Sequence, residues 1–341
     1  MKCIKNCYTV LFFVIIVILS GCATSPSVST KPTGTFVWPI PPASPKIKWI
    51  TQWSERYDFG KPNEVLEFLI GKERTERLRR PNGVVADAEG NIYVADSEIR
   101  TIFVFDMGKK TLRFLGMGTV AGPIGLAIDN KRGVLFVSDS RLDKVFGFNK
   151  STGDIVLSLG GPGEFKNPSG LVYDEQRDRL YVADTQNHVI KAFDQNGRFL
   201  FSVGKRGADN GEFNFPSYVA LDRNGRLFVV DSFNFRVQIF DTEGKFLKKF
   251  GKIGDASGYF TRPEGIGVDS DGNVYVVDAS FNNFQIFNEE GKLLLWIGTA
   301  GSKAGEFYLP TGLYIDKNDR IYVADTFNRR AQVFQYLKEI R

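Results

Sequence analysis

Six stretches of this 341-residue chain open on Pro-x-Gly or a close variant and close, fifteen or sixteen residues later, on an aspartate. The openings are Pro81, Pro123, Pro168, Pro216, Pro263 and Pro310, spaced 42, 45, 48, 47 and 47 residues apart. The aspartates keep the same interval: Asp96, Asp139, Asp184, Asp231, Asp278 and Asp325. A period in the forties holding four short strand-like runs is what a propeller blade requires, in contrast to the shorter helical periods of many solenoids.

The fifth unit shows the four runs: GIGVD (265–269), NVYVVD (273–278), NFQIF (283–287) and KLLLWIG (292–298). All are rich in β-branched and aromatic residues and are bounded by Gly, Asn and Asp. The links DSDGN and NEEGK are hairpin-short, each with a glycine able to take positive φ. Small residues recur in the first run of the units (Ala86, Gly125, Ala127, Gly170, Ala220, Gly265, Gly267, Gly312), which places that strand innermost, where neighbouring backbones converge. The sixth unit has only three strands before the chain reaches Arg341. The unpartnered segment Lys46–Ser54 (KIKWITQWS) is therefore read as its missing outer strand, which closes the ring. The expected fold is all-β: a six-bladed β-propeller of four-stranded antiparallel blades.

The stretch RPEGIGVDSDGNVYVVDASFNNFQIFNEEGKLLLWIG (262–298) resembles an NHL repeat, and the chain from about residue 46 resembles the six-bladed NHL propellers of bacterial envelope lipoproteins. The resemblance is specific for fold and unspecific for function, because similar propellers serve as RNA-binding modules, protein-interaction domains, extracellular sensors and the peptide-amidating lyase. That lyase relies on several histidines for its zinc. This chain has one, His188, so the carry-over fails and His188 reads as a polar turn residue.

The N-terminus supports the envelope expectation. Lys2 and Lys5 precede ten unbroken apolar residues, Val10 to Leu19. As a helix that run covers about 15 Å, half a hydrocarbon core, which fits a signal segment and not a span. Leu19-Ser20-Gly21-Cys22 follows and resembles a lipobox, so Cys22 is the expected lipid attachment site. The organisation reads as a signal peptide (1–21), a lipidated Pro/Ser/Thr-rich tether (22–45) and the propeller (46–341). At about 3.1 Å per extended residue, the tether reaches up to about 70 Å from the membrane. With Ala23 and Thr24 after the cysteine, the expected location is the periplasmic side of the outer membrane in a Gram-negative host. Cys3 and Cys7 leave with the signal, so Cys22 stands alone and neither an internal disulfide nor a Cys-ligated metal is possible. Without Lys2 and Lys5, 42 basic side chains face 39 acidic ones. The balance is too even for a nucleic-acid partner, and the one dense run, Lys72 to Arg80, carries glutamates.

The first strand leaves the Pro-x-Gly loop and the second returns, so the six closing aspartates must share one rim with those loops. An aspartate before a tight connection accepts backbone N–H bonds in an Asx-type turn, and that need arises once per blade. Sixfold repetition thus marks Asp96, Asp139, Asp184, Asp231, Asp278 and Asp325 as structural. Asp269, Asp271 and Asn273 are spaced like the start of a calcium loop. Ser280 stands where its closing glutamate belongs, so the stretch reads as a hairpin turn.

Departures from the repeat on this rim are then the place for function. Blades four to six carry Phe233, Phe235, Phe281 and Phe327 in their second loops, and Tyr218 replaces the glycine of Pro-x-Gly in blade four. The other half of the rim is mostly polar or charged, apart from Ile99 and Leu142. Tyr218, Phe233, Phe235 and Phe281 are the expected ligand-binding aromatics, with Arg80, Arg262 and Glu264 at the channel mouth setting orientation and charge preference. The expected function is a non-catalytic envelope lipoprotein, held to the membrane through Cys22 and binding a protein, peptide or glycan through its rim, without cofactor or metal. The rival is a metal-dependent hydrolase or lyase using the central channel.

Overall fold

The computed structural model describes residues 34–60 and 76–338. The signal segment, Cys22 and most of the tether lie outside the described residues. No helix among the described residues is long and apolar enough to cross a membrane.

Six antiparallel sheets follow one another along the chain, five of them four-stranded meanders. Each inner strand starts at the expected proline: Pro81–Ala86, Pro123–Asp129, Pro168–Asp174, Pro216–Leu221 and Pro263–Val268. The sixth is shorter, Leu313–Ile315. In the first five blades the register pairs that proline with the closing aspartate, as in Pro81 with Asp96 and Pro263 with Asp278. A bulge follows each, because the strand must bend away from the crowded axis.

The closing strand is where the sequence put it. Ile47–Trp53 pairs antiparallel with Arg330–Tyr336, from Ile47 opposite Tyr336 to Trp53 opposite Ala331. The indole N–H of Trp49 donates to the Gln332 side chain at 3.0 Å. One strand was not foreseen: Val37–Trp38 adds to the outside of Ile47–Trp53 and makes this sheet five-stranded, within the stretch read as tether.

The core consists of six apolar wedges, one between each pair of neighbouring blades. The wedge between blades five and six joins Tyr275, Phe284, Phe307 and Phe334 to Ile47 and Trp49 of the closing strand. The next joins Trp53 and Leu78 to Val84, Tyr322 and Val333. The closing strand therefore contributes to two wedges, so the contacts that close the ring are also core contacts. Near the axis the inner strands touch. A Cβ on Gly312 would lie 2.3 Å from the Asn82 carbonyl oxygen of blade one, and one on Gly265 would lie 2.3 Å from the Leu313 nitrogen, so only glycine fits. Hydrogen bonds latch the same contact: Gly312 N–H and the Thr311 hydroxyl both donate to the Asn82 carbonyl, at 2.8 and 2.9 Å.

Candidate functional site

All six closing aspartates are fully buried. They do not satisfy their oxygens in one way, as sixfold repetition suggested. In blades one, two and five the partners are backbone N–H groups on both sides of the aspartate. Asp96 accepts from Arg79 and Arg80 at 2.6 and 3.0 Å and from Glu98 and Ile99 at 3.0 and 2.9 Å. Asp139 and Asp278 repeat this with Ala121, Gly122, Arg141 and Leu142, and with Thr261, Arg262, Ser280 and Phe281. In blades three, four and six one preceding backbone N–H remains and side chains supply the rest. Asp184 takes Asn187 and Lys191, both at 2.8 Å. Asp231 takes Asn234, Arg236 and Gln238, and Asp325 takes Asn328, Arg330 and Gln332. The deciding residue lies three places after the aspartate: an asparagine there (Asn187, Asn234, Asn328) accompanies the charged arrangement, with the cation five places on in blades four and six and seven in blade three, whereas Ile99, Leu142 and Phe281 leave the backbone to do the work.

These buried aspartates tie down the loops that carry the exposed rim side chains. Arg80 and Arg262 each give their backbone N–H to the aspartate of their blade, which leaves the guanidinium groups on the rim. The Arg262 Nε lies 3.1 Å from Glu264 Oε1. Burial pushes the Glu264 carboxyl above the usual carboxylate range, and Arg262 opposes that shift in part.

The aromatic arc is redistributed. Phe233 is 62% exposed; its ring packs 5.0 Å from Phe215, which in turn meets the His188 ring edge-on at 4.6 Å. Phe327 is also exposed and stands 5.4 Å from the exposed Tyr308. Phe281 is half-buried. Phe235, with a left-handed backbone (φ 54°), is half-buried against the wedge between blades four and five. Tyr218 is a correction. It is buried, not exposed on the rim, and packs beside Phe260 and Ile266, with its hydroxyl 3.5 Å from the Asn82 carbonyl oxygen of blade one. In the glycine position of an inner strand a side chain has only the channel and the wedge to occupy. The contrast between rim halves is also weaker than expected, since Ile99, Met117 and Leu142 are exposed in the first two blades.

The sequence reading missed Phe215, Tyr308 and Met117, which lie on the connections between blades. A signal for those connections exists. Gly204, Gly251 and Gly298 open them with positive φ, and each packs under a buried phenylalanine nine residues on, Phe213, Phe260 and Phe307. Half-buried Phe215 and exposed Tyr308 stand within two residues of two of those anchors, Phe213 and Phe307.

His188 is committed. Its Nδ1 accepts the Phe215 N–H at 3.1 Å, and burial with nearby Arg206 lowers its pKa. The DSDGN stretch is a turn, since Asp269 Oδ1 accepts the Asp271 and Asn273 N–H groups, both at 2.9 Å. Among the described residues no three His, Cys, Asp or Glu side chains are grouped to hold a metal ion.

The NHL repeat family profile matches residues 78–105 and 165–193, and that of a family described as 6-bladed beta-propeller (DUF5128) matches 218–285 and 269–337. The chain is a six-bladed β-propeller, with NHL-repeat matches in blades one and three. No curated protein matches it. Among solved structures it is similar to a streptogramin B lyase (13% identity over 76% of this chain and 94% of that one, TM-score 0.58). It also resembles a catalytically inactive histidine-to-alanine variant of virginiamycin B lyase from Staphylococcus aureus with quinupristin (14%, 76% and 95%, 0.56). A protein of unknown function from Bacteroides thetaiotaomicron is similar as well (14%, 77% and 70%, 0.59). At these identities the likeness is one of fold alone.

Proposed function

We propose that this NHL propeller is an envelope lipoprotein, anchored through Cys22, whose loop rim binds a protein or peptide partner without catalysing a reaction. The observation that carries the reading is a pair of aromatic contacts on the rim, exposed Phe233 on half-buried Phe215 and exposed Tyr308 with exposed Phe327, on loops pinned by buried aspartates. Exposed aromatics held on pinned loops are what interface hot spots are made of, because they add large contact area at little ordering cost.

The test is a pull-down from envelope extract with the full chain, followed by affinity measurements on the partner recovered. Phe233→Ala and Phe327→Ala should each weaken binding by about 1–2 kcal/mol and leave the melting temperature nearly unchanged. Variants that melt early while binding normally per folded molecule would make these rings part of the core. Recovery of a glycan would correct the partner class. Cys22→Ala should abolish lipid labelling and membrane retention; a variant that still labels with palmitate defeats the anchor.

The likeness to streptogramin lyases favours a catalytic second reading. The inactive variant of virginiamycin B lyase lacks a histidine side chain. The single histidine of this chain is buried, and its Nδ1 is occupied by a backbone N–H. Turnover of a streptogramin B antibiotic by the purified protein would establish that second reading and overturn the first.

A further inference from the structure

Blade five keeps the frame that seats an arginine in blades four and six, but carries an asparagine at that place. In blade four the buried Arg236 guanidinium donates to the Ala208, Asp209 and Glu212 carbonyls at 2.7, 2.8 and 2.9 Å. Arg330 does the same in blade six with Ser302, Lys303 and Glu306. The loop that supplies these carbonyls has one hydrogen-bond pattern in all three blades. In blade four the Gly207 N–H donates to the Phe213 carbonyl and the Phe213 N–H to that of Lys205. The equivalent pairs are Gly254 with Phe260 and Phe260 with Lys252 in blade five, and Gly301 with Phe307 and Phe307 with Thr299 in blade six. A buried glutamine completes the frame: Gln238, Gln285 and Gln332 donate to the Glu212, Tyr259 and Glu306 carbonyls and accept the N–H of Gly211, Gly258 and Gly305. The register is shared as well, with Arg236, Asn283 and Arg330 each opposite the closing aspartate of its blade.

Asn283 therefore starts where the two arginines start, with a side chain too short to serve the same carbonyls. Its Oδ1 is buried without a hydrogen-bond partner, and it is the one such side-chain atom among the described residues. The Asp255 and Ala256 carbonyls, which stand where those of Ala208 and Asp209 do, receive no side-chain donor among the described residues, and that of Tyr259 receives one, from Gln285. The nearby cations are engaged elsewhere: Lys252 lies over the Tyr259 ring at 4.5 Å, and Arg262 pairs with Glu264. Asn283 is half-buried where Arg236 and Arg330 are buried, which leaves a way in from solvent. An amide oxygen and three carbonyls on a frame whose two sister copies hold a guanidinium call for the same group, because its planar fork of N–H donors serves several oxygens at once. We infer that blade five binds a guanidinium group at the place that Arg236 and Arg330 fill in the neighbouring blades. Blade five lies between the two rim contacts, Phe233 on Phe215 in blade four and Tyr308 with Phe327 in blade six. The guanidinium belongs to a free guanidino compound or to an arginine of the rim's partner; only the second source rests on the rim-binding reading.

Titration of the isotope-labelled full chain with methylguanidinium, methylammonium and tetramethylammonium, followed by NMR at the Asp255, Ala256 and Gly258 amides, tests the inference. Methylguanidinium should shift these signals saturably and bind about tenfold more tightly than methylammonium, as expected for one further charge-assisted hydrogen bond. Tetramethylammonium, which has no N–H, should leave them unmoved. Asn283→Arg supplies the group from the chain itself and should abolish the response. Asn283→Leu keeps the size, removes the amide oxygen and should weaken binding several-fold. Arg236→Ala gives blade four the same set of free carbonyls, and methylguanidinium should restore part of the melting temperature it loses. The blocked tripeptide Leu-Arg-Leu separates the two sources: binding tighter than that of methylguanidinium and reduced by Phe233→Ala or Phe327→Ala assigns the group to the partner, and equal binding assigns it to a free compound. An unchanged response in folded Asn283→Arg overturns the site. Methylammonium or tetramethylammonium binding as tightly as methylguanidinium overturns the ligand class. No saturable shift with any of the three cations overturns both.

Discussion

Arg330 is the side chain through which both ends of the described chain are fastened, and its loss should be costly. The guanidinium uses all its donors: Nε to Asp325 at 2.8 Å, Nη1 to Gln52 of the closing strand and to the Ser302 carbonyl, both at 2.7 Å, and Nη2 to the Lys303 and Glu306 carbonyls, both at 2.8 Å. Replacement by methionine keeps much of the volume. It takes the counter-ion from a fully buried carboxylate and leaves the Ser302 carbonyl and the Gln52 side-chain oxygen without their donor, while Lys303 and Glu306 keep other partners. Breaking one side of a buried ion pair costs about 3–5 kcal/mol, because the other charge remains without compensation. At about 2 °C per kcal/mol for a domain of this size, thermal unfolding should begin roughly 6–10 °C earlier. Burial already raises the Asp325 carboxyl, and Arg330 holds it down. In Arg330→Met its pKa must rise further, so the deficit should be full at neutral pH and shrink as the medium is acidified and Asp325 takes a proton. Differential scanning calorimetry of parent and Arg330→Met over a pH series reads both effects. A neutral-pH loss below about 1 kcal/mol, or a deficit that does not change with pH, would refute the reasoning.

Deleting residues 47–53 removes Ile47, Trp49 and Trp53 from two wedges. At about 1.5–3 kcal/mol per large apolar side chain, most of a typical 5–15 kcal/mol of net stability should go, seen as loss of the cooperative melt. Glu264 has its folded-state pKa raised, so the native protein holds the extra proton and stability should fall as pH rises through the window above the ordinary carboxylate value. Glu264→Gln should remove that slope and melt higher than the parent at neutral pH, and equal slopes in the two would defeat the assignment. The lowered pKa of His188 works in the opposite direction. Its contribution is present above the ordinary value of 6.5 and lost as pH falls through the folded-state pKa, so His188→Gln should flatten the acid limb of the stability curve measured in urea. Asn283 takes the place of Arg236 and Arg330 in blade five, and its Oδ1 is buried without a partner. Asn283→Arg, facing the loop carbonyls that those arginines use in blades four and six, should raise the melting temperature; a fall would show that blade five cannot seat the latch.

The sequence alone was enough for the ring. Period, turn glycines and apolar alternation are local properties, and six copies of a unit that cannot bury its own faces have few ways to satisfy themselves except against one another. The missing fourth strand of the sixth unit likewise forced Ile47–Trp53 into place, since an open blade edge must find a partner. The repeat also showed which aspartates are structural. What it could not show is where a departure from the repeat points. Tyr218 and Phe233 looked equivalent as aromatics near one rim, yet Tyr218 is buried across the channel and Phe233 is mostly exposed. The difference lies in whether the position faces the axis or the solvent, and only the assembled ring sets that direction. A channel cavity of about 460 Å³ lined in part by Tyr218 has the same origin. Its walls come from blades far apart in sequence, brought together when the closing strand completes the circle.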